Sequence, residues 1–359
     1  NPVTYAVAIA SGGNVFINKN FGLTQFGSIA GIVFIDNNGN GIKEAGENSV
    51  SNWKIKIAGN ASDSVFSDAN GNYIFQNVKA GSYSVSLTVQ SGWMQPLPVV
   101  SSYSLNVLSG NTIADKHFGI FQYANISGNV FEDMNGNGTK ENGDNNLQNW
   151  KIFLNGTQSD STMSDANGNY SFGNIAPGNY SVFEQIITDW TNIAPNSAYN
   201  ITPSSGSVFT ENNFANFHNG KISGTVFNDY NGDIVMDDEE GPIVNAKVYL
   251  ATQNNSIIDS TVSDASGNYI FSAIMSGEKN VVAKIVSNNF LISSLNNFIA
   301  TVLSGSVFAG KNLSLFYPAS ISGIKFHDKN ADGNFDAEDI GLSNVAMYLT
   351  GTANDTVQT

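Results

Sequence analysis

Ser28–Asp36 reads SIAGIVFID, and the phrase returns as ISGNVFED at Ile126–Asp133, ISGTVFND at Ile222–Asp229 and ISGIKFHD at Ile321–Asp328. Its glycines, Gly31, Gly128, Gly224 and Gly323, stand 97, 96 and 99 residues apart, so the chain is a tandem array of one unit. A second phrase follows inside each unit: DSVFSDANGNY at Asp63–Tyr73, DSTMSDANGNY at Asp160–Tyr170 and DSTVSDASGNY at Asp259–Tyr269. The expected modules are 28–124, 125–220 and 221–319, with 1–27 the tail of a preceding module and 320–359 the opening of a fourth. Partial units at both ends read as a window on a longer protein.

Within a unit, apolar residues alternate over short runs and turn signals recur, with no helical period. In the first module the pattern predicts strands over 29–35, 52–58, 62–67, 72–76, 82–89, 101–107 and 111–118, with turns at Asn70-Gly71 and Ala80-Gly81. Seven strands in that length predict an all-β, two-sheet sandwich of immunoglobulin-like or prealbumin-like type, repeated in tandem and arranged as a rod. Trp53 and Trp150, replaced by Ala246 and Ala346 in later copies, are expected in the core. The linkers Ile120–Asn125, Asn216–Lys221 and Leu315–Ser320 are short and carry Phe121, Tyr123, Phe217, Phe316 and Tyr317. Two readings are open: the aromatics stiffen the joints, or they cap their own sandwich.

The loop after the first strand is the strongest chemical signal. It runs Asp36-Asn37-Asn38-Gly39-Asn40-Gly41-Ile42-Lys43-Glu44-Ala45-Gly46-Glu47. Oxygen side chains fall at positions 1, 3, 5, 9 and 12 (Asp36, Asn38, Asn40, Glu44, Glu47), a glycine falls at 6, and Ile42 at 7 offers its carbonyl. That is the ligand spacing of an EF-hand Ca²⁺ loop. The second copy supplies Asp133, Asn135, Asn137, Thr139, Glu141 and Asp144, and the fourth Asp328, Asn330, Asp332, Asn334, Asp336 and Asp339. The third supplies Asp229, Asn231, Asp233, Val235, Asp237 and Glu240, but Ile234 stands where glycine is expected, which puts its occupancy in doubt. These four loops hold 17 of the 30 acidic residues. Carboxylates crowded so closely repel unless something neutralises them, so one Ca²⁺ per loop is expected. Asp63, Asp160 and Asp259, and likewise Asp68, Asp165 and Asp264, have two open readings, a second metal shell or turn caps. Turn-capping is favoured for Asp68 and its copies.

Composition removes other classes. The net charge is −15 and all fifteen basic residues are lysine, so the bidentate arginine fork of nucleic-acid recognition is missing. There is no cysteine to staple the modules or bind a soft metal, and His117, His218 and His327 are scattered. No apolar run reaches membrane-spanning length. The sequons at Asn60, Asn155, Asn200 and Asn312 suit a glycosylated surface, although an asparagine-rich chain produces them by chance.

The combination G-x-V-F-x-D-x-N-x-N-G, S-D-A-N-G-N-Y-x-F and G-x-Y-S-V resembles the SdrD B-like domain of bacterial surface proteins, a relative of the Cna B-type, prealbumin-like modules. The resemblance covers almost the whole chain. It implies secreted, Ca²⁺-stabilised sandwich repeats, often the stalk of a surface adhesin, with the loop residues named above as ligands. Some related modules carry a Lys–Asn isopeptide bond with the lysine on the first strand. Here that strand has Val33, Val130 and Val226, and only the fourth copy has Lys325, so no such bond is expected in the complete modules. The expected function is structural and non-enzymatic: an extracellular, Ca²⁺-stiffened stalk or the body of a surface fibre. Its partners would be neighbouring modules of the same chain and, in a fibre, further copies associating end to end or laterally. The alternative is an adhesin whose repeats bind a host or carbohydrate ligand directly.

Overall fold

A computed structural model describes residues 17, 22–252, 256–282, 291–292, 297–316, 320–351 and 354–359. Most of the expected tail at 1–27, and Tyr317 among the linker aromatics, lie outside the described residues. The fold is all-β, in tandem sandwich modules. It divides into two compact units, one of 1–222, 272–279 and 300–308, the other of 223–271, 280–299 and 309–359.

In the first unit, the first module is built from β1 (Gly27–Ile35), β2 (Lys54–Gly59), β3 (Asp63–Phe66), β4 (Asn72–Val78), β5 (Gly81–Leu87), β6 (Trp93–Leu97), β7 (Ser102–Val107), β8 (Thr112–Ile113) and β9 (Phe118–Gln122). One sheet has the order β4-β1-β9-β6 with β8 also against β1, and the other has the order β3-β2-β5-β7. Two strands differ from the sequence pattern. β6 escapes it because Pro96 argues against a central strand, and the structure resolves the conflict by placing β6 at a sheet edge. The run expected over 111–118 is broken into β8 and β9, because β1 changes partner midway. Ile29 pairs with Phe75 and Ile113, whereas Val33 pairs in parallel with Phe118.

The core follows from period two. Ile29, Val33, Ile55, Tyr73, Phe75, Val85 and Phe118 point between the sheets, with Trp53 packed edge-on against Trp93 at 5.4 Å between ring centres. The second module repeats this with Ile126, Val130, Ile152, Phe172 and Phe214, and with Trp150 against Trp190 at 5.1 Å. At the end of β1 both faces are buried, Val33 inward and Phe34 outward, because the acidic loop folds back and lays the Lys43 ammonium 5.4 Å from the Phe34 ring centre. Burying such side chains is worth about 1.5–3 kcal/mol each.

The two repeat phrases meet in space. A side chain at Gly31 would stand 2.1 Å from the Lys116 carbonyl, the group to which the Tyr73 hydroxyl donates. Gly128 and Tyr170 share the Asn212 carbonyl in the same way, and Gly224 and Tyr269 share that of Lys311 in the second unit. The serine of the second phrase is also accounted for. Ser67 accepts from the Trp53 N–H and donates to the Val50 carbonyl, and Ser164 and Ser263 repeat both bonds. The third repeat is divided: Lys221 and Ile222 pair with Val307 and Phe308 in the first unit, and Val226–Asn228 with Leu313–Leu315 in the second.

One half-buried acid of the second module has no counterpart in the first. Glu184 accepts from the side-chain amides of Asn192 and Asn216, where the first module has Leu87, Gln95 and Gly119. Burial pushes its carboxyl up to about 7, against the two amides, which hold it down. A carboxyl raised on folding binds its proton more tightly in the folded state, so this contribution to stability is lost as pH rises from about 4.5 to about 7. Replacing Glu184 by Gln should flatten the second module's stability over that interval and stabilise it by about 2 kcal/mol above pH 7. Urea unfolding at several pH values measures both.

Candidate metal centre

Each acidic loop leaves the end of a first strand, and in the first three its opening aspartate is drawn inside. Asp36, Asp133 and Asp229 are fully buried, and the Asp36 N–H is bonded to the Ile120 carbonyl of the closing strand. A buried carboxylate must be satisfied, and the loop does this with its own backbone. Asp36 accepts from the N–H groups of Asn40 and Gly41 at 3.1 and 2.8 Å, and Asp133 from Gly136, Asn137 and Gly138 at 2.7, 3.2 and 2.6 Å. Asp229 accepts from Gly232 and Ile234, and Asp328 from Asp332 and Gly333.

The last position closes the ring from the other side. Glu47 accepts from the N–H groups of Asn37 and Glu44 at 2.7 and 3.0 Å, one on each carboxylate oxygen. Asp144, Glu240 and Asp339 repeat that two-armed grip on positions 2 and 9. Positions 3 and 5 form successive local turns: Asn38 accepts from Asn40, and Asn40 from Ile42. Asn135 and Asn137, Asn231 and Asp233, and Asn330 and Asp332 do the same. The amide nitrogens of Asn38 and Asn40 both reach Glu44, Asn135 reaches Glu141, Asn231 reaches Asp237 and Asn330 reaches Asp336, so position 9 is tied to position 3 in every copy. In all four loops position 1 thus holds the N–H of position 6, position 12 those of 2 and 9, position 3 that of 5 and position 5 that of 7. Thr139, Val235 and Asn334, like Ile42, take part through the backbone, their N–H groups held by position 5.

Among the described residues no three acidic or histidine side chains form a metal-holding group by themselves. The set is completed by amide and carbonyl oxygens, which is the donor chemistry of a hard cation. Burial pushes the Asp36 carboxyl up; the Gly41 N–H opposes this, and the nearby Glu47 charge pushes it further up. A divalent cation would relieve the burial and the repulsion together, so the residues present fit Ca²⁺.

Ile234 takes the glycine position of the third loop at φ 72°, beside 76° for Gly41, 81° for Gly138 and 83° for Gly333. The loop keeps its hydrogen bonds and carries a β-branched residue in the left-handed region, at a cost of roughly 1–2 kcal/mol. Asp68 lies outside the loop and closes the turn of its own phrase, accepting from the N–H groups of Asn70 and Asn72. Asp165 and Asp264 repeat this, and the Asn72 N–H holds the Asp68 carboxyl below the usual range. Asp63, Asp160 and Asp259 each accept from the N–H of the next residue at 2.7 Å.

The loops touch something the sequence did not foretell. The position-2 carbonyls of Asn37 and Met134 accept from the N–H groups of Ser205 and Ser304 in the following module, at 3.1 and 2.9 Å. The one signal in the sequence is a Ser-Gly pair returning at 109–110, 205–206 and 304–305, on the spacing of the repeat itself.

The sequence matches the SdrD B-like domain family over residues 27–102, 124–216 and 220–298. The chain belongs to this family. Among similar proteins, Colossin-A of Dictyostelium discoideum is 27% identical over 94% of this chain and 4% of its own length. Serine-aspartate repeat-containing protein F of Staphylococcus epidermidis is 26% identical over 74% of this chain and 18% of its own, and protein D of Staphylococcus aureus strain Newman is 24% identical over 91% and 28%. The chain therefore spans less than a third of the length of each of these relatives. Among solved structures, the major pilin subunit BcpA of Bacillus cereus gives a TM-score of 0.33 at 8% identity, covering 82% of this chain and all of that one.

Replacing Ile234 by Gly should remove the backbone strain and, net of the chain entropy glycine adds, stabilise the third module by about 1 kcal/mol. In urea unfolding of the full chain the transition of that module should move to higher denaturant while the others stay in place.

Proposed function

We propose that the chain is a structural part of an extracellular surface protein, a series of sandwich modules each stapled by Ca²⁺ in its acidic loop and together forming a stalk or the body of a fibre. The observation that carries this reading is the acidic loop repeated four times in register, with oxygen side chains at positions 1, 3, 5, 9 and 12 folded into one hydrogen-bonded twelve-residue turn. Membership of the SdrD B-like family supports it, as do relatives named for serine-aspartate repeats. The role is mechanical rather than catalytic: the recurring carboxylates are engaged by backbone N–H groups and asparagine amides in loops and turns, and the serine that recurs beside Asp68, Asp165 and Asp264 is itself held between two backbone groups.

The ion would be held by Asp36, Asn38, Asn40, Glu44 and Glu47 with the Ile42 carbonyl, and by the matching residues of the other loops. It would fasten the end of β1 to the chain entering β2, a cross-link that a cysteine-free module otherwise lacks. Extracellular modules hold Ca²⁺ at about 10⁻⁴–10⁻³ M, so the staple would be closed outside cells and open at cytosolic levels. Ligand that binds only the folded state stabilises it by about 2.7 kcal/mol at a hundredfold excess over Kd.

Excess Ca²⁺ should therefore raise the melting temperature by about 10 °C relative to chelator. An identical melting curve in both would overturn the proposal. Asp36→Ala should abolish the first module's share of that shift, and Asp68→Ala should leave it in place.

A further inference from the structure

Two of the stretches read as linkers, 120–125 and 216–221, are almost wholly strand. β9 ends at Gln122 and the first strand of the second module begins at Ala124, so Tyr123 alone lies between them; at the next joint Asn219 alone separates His218 from Gly220. Those two residues are tied backwards, Tyr123 N–H to the Gly92 carbonyl and Asn219 N–H to that of Asp189, each in its own module.

The residue just before is tied forwards. Gln122 donates its N–H to the Ser205 hydroxyl at 2.8 Å and accepts from the Gly206 N–H at 2.8 Å. His218 makes the same two bonds with Ser304 and Gly305, both at 2.8 Å. Gln25 makes them with Ser109 and Gly110 at 2.8 and 3.1 Å. The glycines share one conformation, φ 72°, 73° and 70°. A side chain on Gly206 would stand 2.8 Å from the Gln122 amide, and one on Gly305 would meet His218 at 3.2 Å. The acidic loop joins the same contact at its position-4 glycine. A side chain on Gly39 would stand 2.1 Å from Pro177 of the following module, and one on Gly136 would stand 1.9 Å from Ser276.

We propose that the Ser-Gly turn of each module is a socket for the main chain leaving the preceding module, and that this socket sets the geometry of the joint. Its partner is backbone: the bonds run to N–H and C=O groups, and the seated residue is Gln, Gln and His in turn. Any module whose closing strand ends in a free N–H and C=O at this position fits, which lets one joint serve a repeat whose sequences have drifted. The bonds of the socket join protein groups only, so the inference does not depend on the Ca²⁺ reading.

The chain has no cysteine, so Ala69→Cys and Ala166→Cys, both exposed, give two unique spin-label sites at matching points of the first and second modules. In excess Ca²⁺, the whole 359-residue chain should show one narrow inter-label distance. Gly206→Val should broaden it about twofold or more by freeing the connecting backbone, and Ser205→Ala, which removes one acceptor, should broaden it less. A wild-type width retained by Gly206→Val with the second module folded, checked by its urea transition, would overturn the proposal. Should Gly206→Val unfold that module, Ser205→Ala decides: broadening supports the socket, and an unchanged width overturns it.

Discussion

A carboxylate buried at the end of the first strand is the constraint on which each of the three complete modules depends. Asp36, Asp133 and Asp229 cannot be left unsatisfied at that depth. The chain after them must coil so that its own N–H groups point back, and this is what fixes the loop. Once the loop is coiled, Lys43 lies over Phe34, Glu47 grips both ends of the ring, and the chain is delivered to β2 in register. The same aspartate N–H is bonded to the closing strand, so loop, first strand and last strand are locked at one point.

The second constraint is the close crossing of backbones at Gly31. Because β1 runs against the Lys116 carbonyl, no side chain fits there, and Tyr73 reaches the same oxygen from the neighbouring strand. The repeat phrases that looked like two motifs are one contact seen from two sides. This explains why the glycine and the tyrosine recur together while the residues around them vary between copies.

How much of this was legible depended on range along the chain. The acidic loop was legible because its ligands lie within twelve residues and local geometry alone brings them together. The turn at Asp68 was legible for the same reason, and the alternation of Tyr73 and Phe75 gave an inward face. β6 was hidden because Pro96 is tolerated only at an edge, and edge position is a property of the whole sheet. The division of the last expected strand was hidden because β1 exchanges partners, which no local pattern encodes. The joint was least visible of all. Its bonds tie one main-chain N–H and C=O to a serine hydroxyl and a glycine N–H 83 or more residues away, and only a repeated Ser-Gly pair betrays them.

The copies are not equal, and the differences bear on how the array would respond to load. The third loop carries the most acidic residues, and with them the left-handed Ile234, so it combines the greatest repulsion with the greatest strain. The fourth loop keeps its glycine at position 6 but has Ala331 at position 4, where the first two loops have the glycines that leave room for the next module. A repeat protein's stability is roughly a sum of unit and neighbour contributions. Strain in one loop therefore weakens its own unit, whereas a side chain at position 4 weakens the neighbour contribution and leaves the loop intact. The substitutions along this chain thus separate two properties that the first module combines in one stretch of twelve residues: how firmly a module holds together, and how firmly it holds the next.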